Sequence, residues 1–239
     1  MSTMDRQIAL ALLQTFRPRT DVFARRLDDE VEVQRLNEFC RAKGRPDTWR
    51  VGNWRPVRKW LDDEQRSEDV PLTVDAVERH VRGEITIGFY PLRPDGSTAT
   101  VSVDFDDHLG NARSAADPRA DLDALAAACA RRGVRFLANT SRGGAGFWLH
   151  LVLPPGVSAA RARGVMLALV RDAGLRHITD GGAFDAVFPK QDDLRRKGPG
   201  NLYCVPVNGR WLRASTPGTH FLGTDPANLD AQFRALTEY

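Results

Sequence analysis

Residues 97–106 read STATVSVDFD, and this stretch decides the fold of the chain. Successive side chains on a β-strand point to opposite faces, so one face carries the apolar set Ala99, Val101, Val103 and Phe105. The other face carries Thr98, Thr100, Ser102, Asp104 and Asp106. The alternation therefore predicts a strand that is buried on its apolar face and projects two carboxylates, Asp104 and Asp106, from the other face near its end.

Strands and helices alternate on both sides of this strand. The turn sequence Arg93-Pro94-Asp95-Gly96 predicts that residues 86–92 and 97–106 form a hairpin. Apolar periodicity predicts a helix over 121–132, strands over 134–139 and 147–153, and a helix from the Ser158 cap to about Ala173. This order predicts an α+β fold, with an antiparallel RNA-recognition-type (RRM-like) sheet that has helices on one face.

The N-terminal third of the chain has a mainly helical pattern. Apolar residues repeat at helical spacing from Asp5 onward, a second helix ends before Gly44, and a third follows Pro71 with its cap at Leu72-Thr73. We therefore expect an N-terminal helical or αβ module over residues 1–82 and an RRM-like catalytic module over 83–239, which together form one domain.

Between these helices, residues 43–71 interleave tryptophans with basic residues. Trp49, Trp54 and Trp60 lie among Arg50, Arg55, Arg58 and Lys59. Such a segment can stack bases and hold phosphates. The alternative is that the tryptophans pin a long connection onto the core.

Composition limits the function classes. The 239 residues carry a net charge of +3, which permits a nucleic-acid partner without requiring one. No apolar run approaches the ~20 residues of a membrane span, so we expect no membrane partner. Cys40, Cys129 and Cys204 lack CxxC spacing, so we expect neither disulfides nor zinc, and a cytoplasmic location.

Three groups of residues are candidates for binding a metal ion or phosphate. Asp104 and Asp106 repel each other unless a cation lies between them, which is typical of a divalent-metal site, although a solvated strand end also tolerates them.

The turn Ser141-Arg142-Gly143-Gly144-Ala145-Gly146 leads into a strand that contains Trp148 and His150. Its amides, together with Ser141, Arg142 and His150, can bind a triphosphate, although a plain hairpin loop has the same composition.

The third group begins at Asp185, a carboxylate between apolar residues in Phe184-Asp185-Ala186-Val187-Phe188-Pro189-Lys190-Gln191-Asp192. A carboxylate there needs a cation or hydrogen bonds, and a capped turn can also supply the latter. Lys190 and residues 195–197 form a basic loop, which either contacts phosphate or is a solvated face.

These motifs occur in an order that resembles a known family. Further segments of the pattern are DVFARR at 21–26, HVRG at 80–83, GFYPL at 88–92, VDFD at 103–106, and GPGNL at 198–202 followed by Val205-Pro206. The chain resembles the primase-polymerase domain of TOTE conflict systems and of CRISPR-associated primase-polymerases, and the resemblance runs from about Thr20 to Leu222.

The resemblance implies an archaeo-eukaryotic primase fold and template-dependent nucleotidyl transfer from nucleoside triphosphates to a 3′-hydroxyl. It assigns Asp104, Asp106 and Asp185 to a site for two Mg²⁺ or Mn²⁺ ions. Ser141, Arg142, His150, Trp148, Lys190 and Tyr90 become nucleotide-binding candidates. DNA template, primer and nucleoside triphosphates become the partners. Without a GxxxxGK[ST] stretch in this chain, a helicase activity, or a CRISPR-type partner, would come from another chain.

Two departures from the family pattern bear on these expectations. Relatives commonly carry a cysteine cluster before the His80 segment, where this chain has only Cys40. Relatives read GxGxHxW where this chain reads Gly144-Ala145-Gly146-Phe147-Trp148-Leu149-His150. His150 therefore either contacts the triphosphate with Trp148 beside it, or is a strand histidine satisfied within the structure. Tyr90 lies near the nucleotide sugar or in the core.

Two other functions use the same residues. A catalytically idle protein of this fold would bind DNA during replication, and a metal-dependent nuclease would use the same acids. Retention of all three acids argues against the idle protein.

Overall fold

The computed structural model describes residues 3–60, 67–106, 117–142, 144–194, 198–209, 219–225 and 228–239. Its helices are α1 (Thr3–Phe16), α2 (Glu30–Ala42), α3 (Val74–Val81), α4 (Pro118–Arg131), α5 (Ala159–Asp172) and α6 (Leu229–Thr237). Its strands are β1 (Ala24–Arg26), β2 (Trp54–Pro56), β3 (Arg58–Trp60), β4 (Ser67–Asp69), β5 (Ile87–Phe89), β6 (Thr100–Phe105), β7 (Leu137–Thr140), β8 (Phe147–Val152), β9 (Phe184–Phe188) and β10 (Tyr203–Cys204). A single 3₁₀ turn occupies Ile178–Asp180.

The C-terminal half contains the predicted RRM-like sheet. Its order is β7-β8-β6-β9, and every neighbouring pair is antiparallel. With α4 between β6 and β7, and α5 between β8 and β9, the chain follows a β-α-β-β-α-β path. The α+β prediction is confirmed.

The alternation along β6 sets the two faces of this sheet. Val101, Val103 and Phe105 are buried in a cluster with residues of α4 and α5, so both helices cover this face. On the opposite face, Trp148 and Phe188 join a second cluster that includes α1 and strands β5 and β10. The polar residues of β6 therefore face the layer packed between this sheet and α1, β5 and β10, rather than solvent.

The other four-stranded sheet has the order β10-β5-β1-β2, and β3 and β4 form a separate two-stranded sheet. Strands β1 and β2 precede residue 82, whereas β5 and β10 follow it. The helices expected before residue 82 are present, and Thr73 caps α3 by accepting a hydrogen bond from the Ala76 amide. The division into modules 1–82 and 83–239 stays a prediction.

The predicted hairpin of residues 86–92 and 97–106 is wrong. The turn itself forms, because the Arg93 amide donates to the Ser97 carbonyl over 2.9 Å and Leu92 bridges Thr98. However, β5 pairs with β1 and β10, while β6 pairs with β8 and β9. Both edges of each strand are thus occupied by other partners, so the chain crosses from one sheet to the other at this turn.

The two helices and two strands predicted between residues 121 and 173 are present as α4, β7, β8 and α5. The sequence patterns did not predict β1 to β4, β9 or β10. Ser158 caps α5, as the pattern predicts, by accepting a hydrogen bond from the Arg161 amide. Within the described residues, no helix is both long enough and apolar enough to cross a membrane.

Candidate active site

Asp104 lies near the end of β6, on the face opposite the helices. Its side chain is buried with 9% exposure, and its Oδ1 has no hydrogen-bond partner. Burial, together with repulsion from Asp106 and Asp185, raises the pKa of this carboxyl group to about 8, and the charge of Lys190 partly opposes the shift. The structure therefore brings together the three predicted acids and the predicted lysine.

A β-bulge presents Asp185 to this group. Asp104 pairs with Ala186, and Phe105 pairs with Phe184, which leaves Asp185 as an extra residue in β9. Strict alternation from Val187, which packs on the helix face, would turn Asp185 toward the helices. Instead Phe184 packs there, and the inserted Asp185 is half-buried beside Asp104.

His177 holds the bulge in place. Its Nε2 donates to the Asp185 carbonyl over 2.8 Å, and its Nδ1 accepts from the Thr179 amide over 3.2 Å, which fixes the ring tautomer. Gly182 permits this close return, because a Cβ there would lie 1.8 Å from the Arg176 carbonyl oxygen. Sequence analysis missed His177, which has no motif of its own; the Gly181-Gly182 pair before Asp185 was the available signal.

The acid group has the character of a cation site. A buried carboxylate oxygen without a partner, next to two further negative charges, is stabilised by a bound cation. Among the described residues, no three His, Cys, Asp or Glu side chains lie close enough together to hold one metal ion as they stand. Mg²⁺ is usually bound by one or two carboxylates together with water and substrate phosphates, and the site fits that mode.

The glycine turn joins β7 to β8 beside the end of β6. Ser141 closes it, because its amide donates to the Gly146 carbonyl over 2.7 Å and its Oγ accepts from the Gly146 amide over 3.1 Å. A Cβ on Gly146 would lie 2.7 Å from the Phe105 carbonyl oxygen, so only glycine lets the turn approach the strand that carries Asp104.

Arg142 and Lys190 are the basic candidates at this end of the sheet. Arg142 is partly buried, and burial together with the charge of Arg26 lowers its pKa. Lys190 is exposed, with its Nζ 4.8 Å from the centroid of the Phe188 ring. Residues 195–197 of the predicted basic loop lie outside the described residues.

A comparison with protein families identifies the chain's relatives. The model that describes the archaeo-eukaryotic primase domain of TOTE conflict systems matches residues 7–239. The chain belongs to this family. Archaeo-eukaryotic primases are a nucleotidyltransferase family, so the acids at the end of β6 belong to a nucleotidyltransferase domain.

A solved structure confirms the fold. The polymerase domain of ligase D from Mycobacterium tuberculosis, solved in complex with DNA, superposes with a TM-score of 0.51 at 12% sequence identity. The match covers 98% of this chain and 85% of that chain. At this identity the likeness shows the archaeo-eukaryotic primase fold alone. No curated protein sequence matches the chain.

His150 stands where the family pattern GxGxHxW has its tryptophan, and its side chain lies in the protein interior. Its side chain is fully buried, with Nδ1 2.7 Å from Ser102 Oγ and Nε2 2.7 Å from Asn139 Oδ1. Asn139 donates its amide to the Thr140 carbonyl, so its oxygen faces His150 and the Nε2 proton is donated to it. Burial lowers the pKa of His150 to about 3. Both ring nitrogens are occupied, which favours the interpretation of a histidine satisfied within the structure.

Trp148 is the neighbour of His150 on the same face of β8. Its ring is stacked at 6.0 Å on the His150 ring and packs against Phe188, and it is only 8% exposed. It lies directly opposite Asp104 in the β6–β8 pairing, so it forms part of the wall beside the acids.

Tyr90 lies in the core rather than beside the acids. It is 2% exposed in a small cluster with Val22 and Ala24, and burial raises its pKa to about 12. The charged groups that act on it are Asp69, Arg19 and Arg58. This position favours the core interpretation.

His80, which belongs to the family pattern, is also a structural residue. The Ile87 amide donates to its Nδ1 over 3.1 Å, so its Nε2 donates to the Val205 carbonyl over 3.0 Å. Burial lowers the pKa of His80 to about 4, which keeps the ring neutral. It ties α3 to both β5 and the segment after β10.

Proposed function

We propose that the protein is a DNA primase-polymerase that transfers nucleotides from nucleoside triphosphates to a primer 3′-hydroxyl on a DNA template. The observation that carries the proposal is the convergence of Asp104, Asp106 and Asp185, with a buried, unpartnered oxygen on Asp104. Membership of the primase family and the fold it shares with a polymerase domain support the same chemistry.

In the proposed reaction the primer 3′-hydroxyl attacks the α-phosphorus of the nucleotide. The new phosphodiester bond forms as the bond to the β-phosphate oxygen breaks, and pyrophosphate leaves with that bond's electron pair. The chain's task is to place the two reactants in line and to balance charge, since phosphoryl transfer asks little covalent chemistry of the protein.

The three acids would hold Mg²⁺ or Mn²⁺. Such an ion, when bound, supplies positive charge to the phosphate oxygens and makes the 3′-hydroxyl more acidic. Asp104 and Asp106 come from consecutive outward positions of one chain segment, while the bulge of β9 adds Asp185. Asp104 and Asp185 are thereby fixed on strands of the sheet, and Asp106 directly follows the last residue of β6.

The glycine turn and the two basic side chains would bind the triphosphate. Ser141 fixes the path of the turn, and the turn amides, Arg142 and Lys190 are the candidate donors to the phosphate oxygens. His150 has no open nitrogen, so we assign it the role of bracing β6 against β8 and β7, with Trp148 packed over it.

The direct test is a primer-extension assay beside an unprimed one. The protein is incubated with a labelled primer on a DNA template, nucleotides, and Mg²⁺ or Mn²⁺. Extension of the primer that is lost in Asp185→Ala supports the proposal. Primer shortening would indicate a nuclease, and DNA binding without turnover would indicate an idle member of the fold. The unprimed arm tests synthesis from single nucleotides.

A further inference from the structure

A small pocket lies where β1 and β2 of the β10-β5-β1-β2 sheet meet the start of β3, whereas Asp104 and Asp185 lie on another sheet. It is lined by Arg25, Arg55, Pro56, Val57 and Arg58, and its volume is about 250 Å³. We call it the arginine pocket. Within the described part of the chain, the charges that act on Asp104 come from Asp106, Asp185 and Lys190, and none comes from this pocket.

Two of its arginines face each other across neighbouring strands. Arg25 on β1 is the direct register partner of Arg55 on β2. Like charges placed directly opposite in a sheet destabilise it. An ion pair with Glu32 balances the charge of Arg25, and an ion pair with Asp69 at 3.0 Å balances the charge of Arg58.

Arg55 has no such carboxylate among the described residues. Its guanidinium lies 5.9 Å from the centroid of the Trp49 ring, in a cation–π contact. Burial is the main cause that lowers the pKa of Arg55, and the charges of Arg25 and Arg58 lower it further against Glu32. The pocket therefore holds a partly buried cation whose charge is not matched by an anion of its own.

The backbone of Trp49, whose ring contacts Arg55, is held by hydrogen bonds. Asn37 clamps the backbone of Trp49, because its Nδ2 donates to the Trp49 carbonyl and its Oδ1 accepts from the Trp49 amide, both over 3.1 Å. Asn37 is buried at 9% exposure on α2. A guanidinium held in this way loses little conformational freedom when it binds a ligand.

We propose that the arginine pocket binds one phosphate group of a nucleic-acid strand, with Arg55 as the principal donor. A guanidinium fork matches two phosphate oxygens, and a phosphate supplies the negative charge that the Arg25–Arg55 pair lacks. This site is independent of the proposed catalytic function, and it assigns a role to the tryptophan- and arginine-rich segment of the sequence.

The test measures binding without catalysis. The affinity for a labelled single-stranded oligonucleotide is measured by fluorescence anisotropy over a series of NaCl concentrations, without divalent cation or nucleotide. Arg55→Gln is expected to weaken binding about five- to tenfold at low salt. It should also reduce the slope of log affinity against log salt by about 0.7, the contribution of one phosphate contact on a single strand.

Two variants control for charge and folding. Arg161→Gln removes an exposed arginine from α5, on the far face of the other sheet, and is expected to change affinity less than about twofold. Arg55→Lys keeps the charge without the fork, so it should keep the slope and lose part of the affinity. Thermal melts establish that each variant is folded.

Two further arms identify the source of the phosphate. Sodium phosphate should compete better than NaCl of equal ionic strength with wild type, and not with Arg55→Gln. Oligonucleotides with and without a terminal phosphate then separate a terminal group from a backbone phosphate. Wild-type affinity and slope in Arg55→Gln, or an equal loss in Arg161→Gln, would overturn the proposal.

Discussion

Ser102 and Asp104 lie two residues apart on the same face of β6, yet their surroundings are opposite. Ser102 is fully buried and its hydroxyl donates to His150, which in turn donates to Asn139. Asp104 is almost as buried, but its Oδ1 has no partner and its neighbours Asp106 and Asp185 repel it.

The difference separates a structural polar network from a reactive one. A buried network whose donors and acceptors are all matched strengthens the packing of the sheet and offers nothing to a ligand. A buried carboxylate held among like charges costs stability and is retained where a ligand repays that cost. The end of β6 therefore contributes to the candidate active site, whereas its middle stabilises the fold.

The largest expected effect comes from removing the charge of Asp104. Asp104→Asn should lower the rate of nucleotide incorporation by roughly 10³-fold or more, because a ligand of the charge-balancing cation is lost. Its melting temperature at neutral pH should stay at the wild-type value or rise, because the folded state no longer has to keep a buried carboxyl group protonated. Primer-extension rates and thermal melts check both parts, and nearly full activity would remove Asp104 from the site.

His150→Ala should show the opposite behaviour. The truncation leaves Ser102 and Asn139 without their partner in the interior, so the free energy of unfolding should fall by about 2–4 kcal/mol. The Michaelis constant for nucleotide should change less than about threefold. Urea unfolding and steady-state kinetics give the two numbers. A tenfold rise of the Michaelis constant without loss of stability would instead place His150 against the triphosphate.

The acid group also predicts a pH dependence of stability. The pKa of Asp104 is about 8 in the folded protein, against an ordinary value of 3.8 in the unfolded chain. Between these values the folded state holds a proton that the unfolded state has released, so stability should fall as pH rises from about 4 to 8.

The size of this loss is on the order of a few kcal/mol, and it should be missing in Asp104→Asn. Urea unfolding of both proteins at several pH values, without divalent cations, isolates the contribution of Asp104. Mg²⁺ or Mn²⁺ should restore stability at pH 8 in the wild type more than in the variant, because the cation favours the ionised carboxylate. Parallel pH curves for the two proteins would contradict the shift.

The sequence predicted what depends on local pattern. Alternation predicted a strand with Asp104 and Asp106 near its end, and the structure has Asp104 on β6 and Asp106 directly after its last residue. The helix starts predicted from the caps at Thr73 and Ser158 are confirmed. The family pattern supplied the fold and the third acid. The alternation and the helix caps depend on residues close together in the chain, whereas the family pattern extends over most of it.

The features that sequence analysis missed depend on long-range pairing. The choice of β5 to pair with β1 and β10 is made by strands distant in sequence, so the turn at Arg93–Gly96 suggested a hairpin that does not form. Likewise, the burial of His150 follows from α1, whose Phe16 ring packs edge-on at 5.1 Å. A histidine on a strand carries no sequence signal that tells a packed interior face from an open cleft.

A smaller effect is expected at the bulge. His177→Ala removes the donor to the Asp185 carbonyl, so Asp185 should lose its fixed position and the turnover number should fall about tenfold. The Mn²⁺ concentration for half-maximal activity should rise with it. His177→Gln can keep an N–H near the carbonyl and should recover most of the activity. An unchanged Mn²⁺ requirement in a less stable alanine variant would show a purely structural role.

The smallest effect is expected at Lys190. Among the residues that the structure describes, Lys190 is the only positive charge that acts on Asp104, and it opposes the rise of that carboxyl group's pKa. Lys190→Gln should raise the pKa further, so that less of the carboxylate is ionised near neutral pH. We expect kcat/KM to fall about two- to fivefold at pH 7 and to recover part of this loss near pH 9, while the part that comes from the proposed triphosphate contact of Lys190 remains at every pH. Lys190→Arg, which keeps the charge, should follow the wild-type pH–rate profile. A loss of equal size at every pH would show that Lys190 acts on the triphosphate alone, because a contact with the always-charged nucleotide does not depend on the ionisation of Asp104.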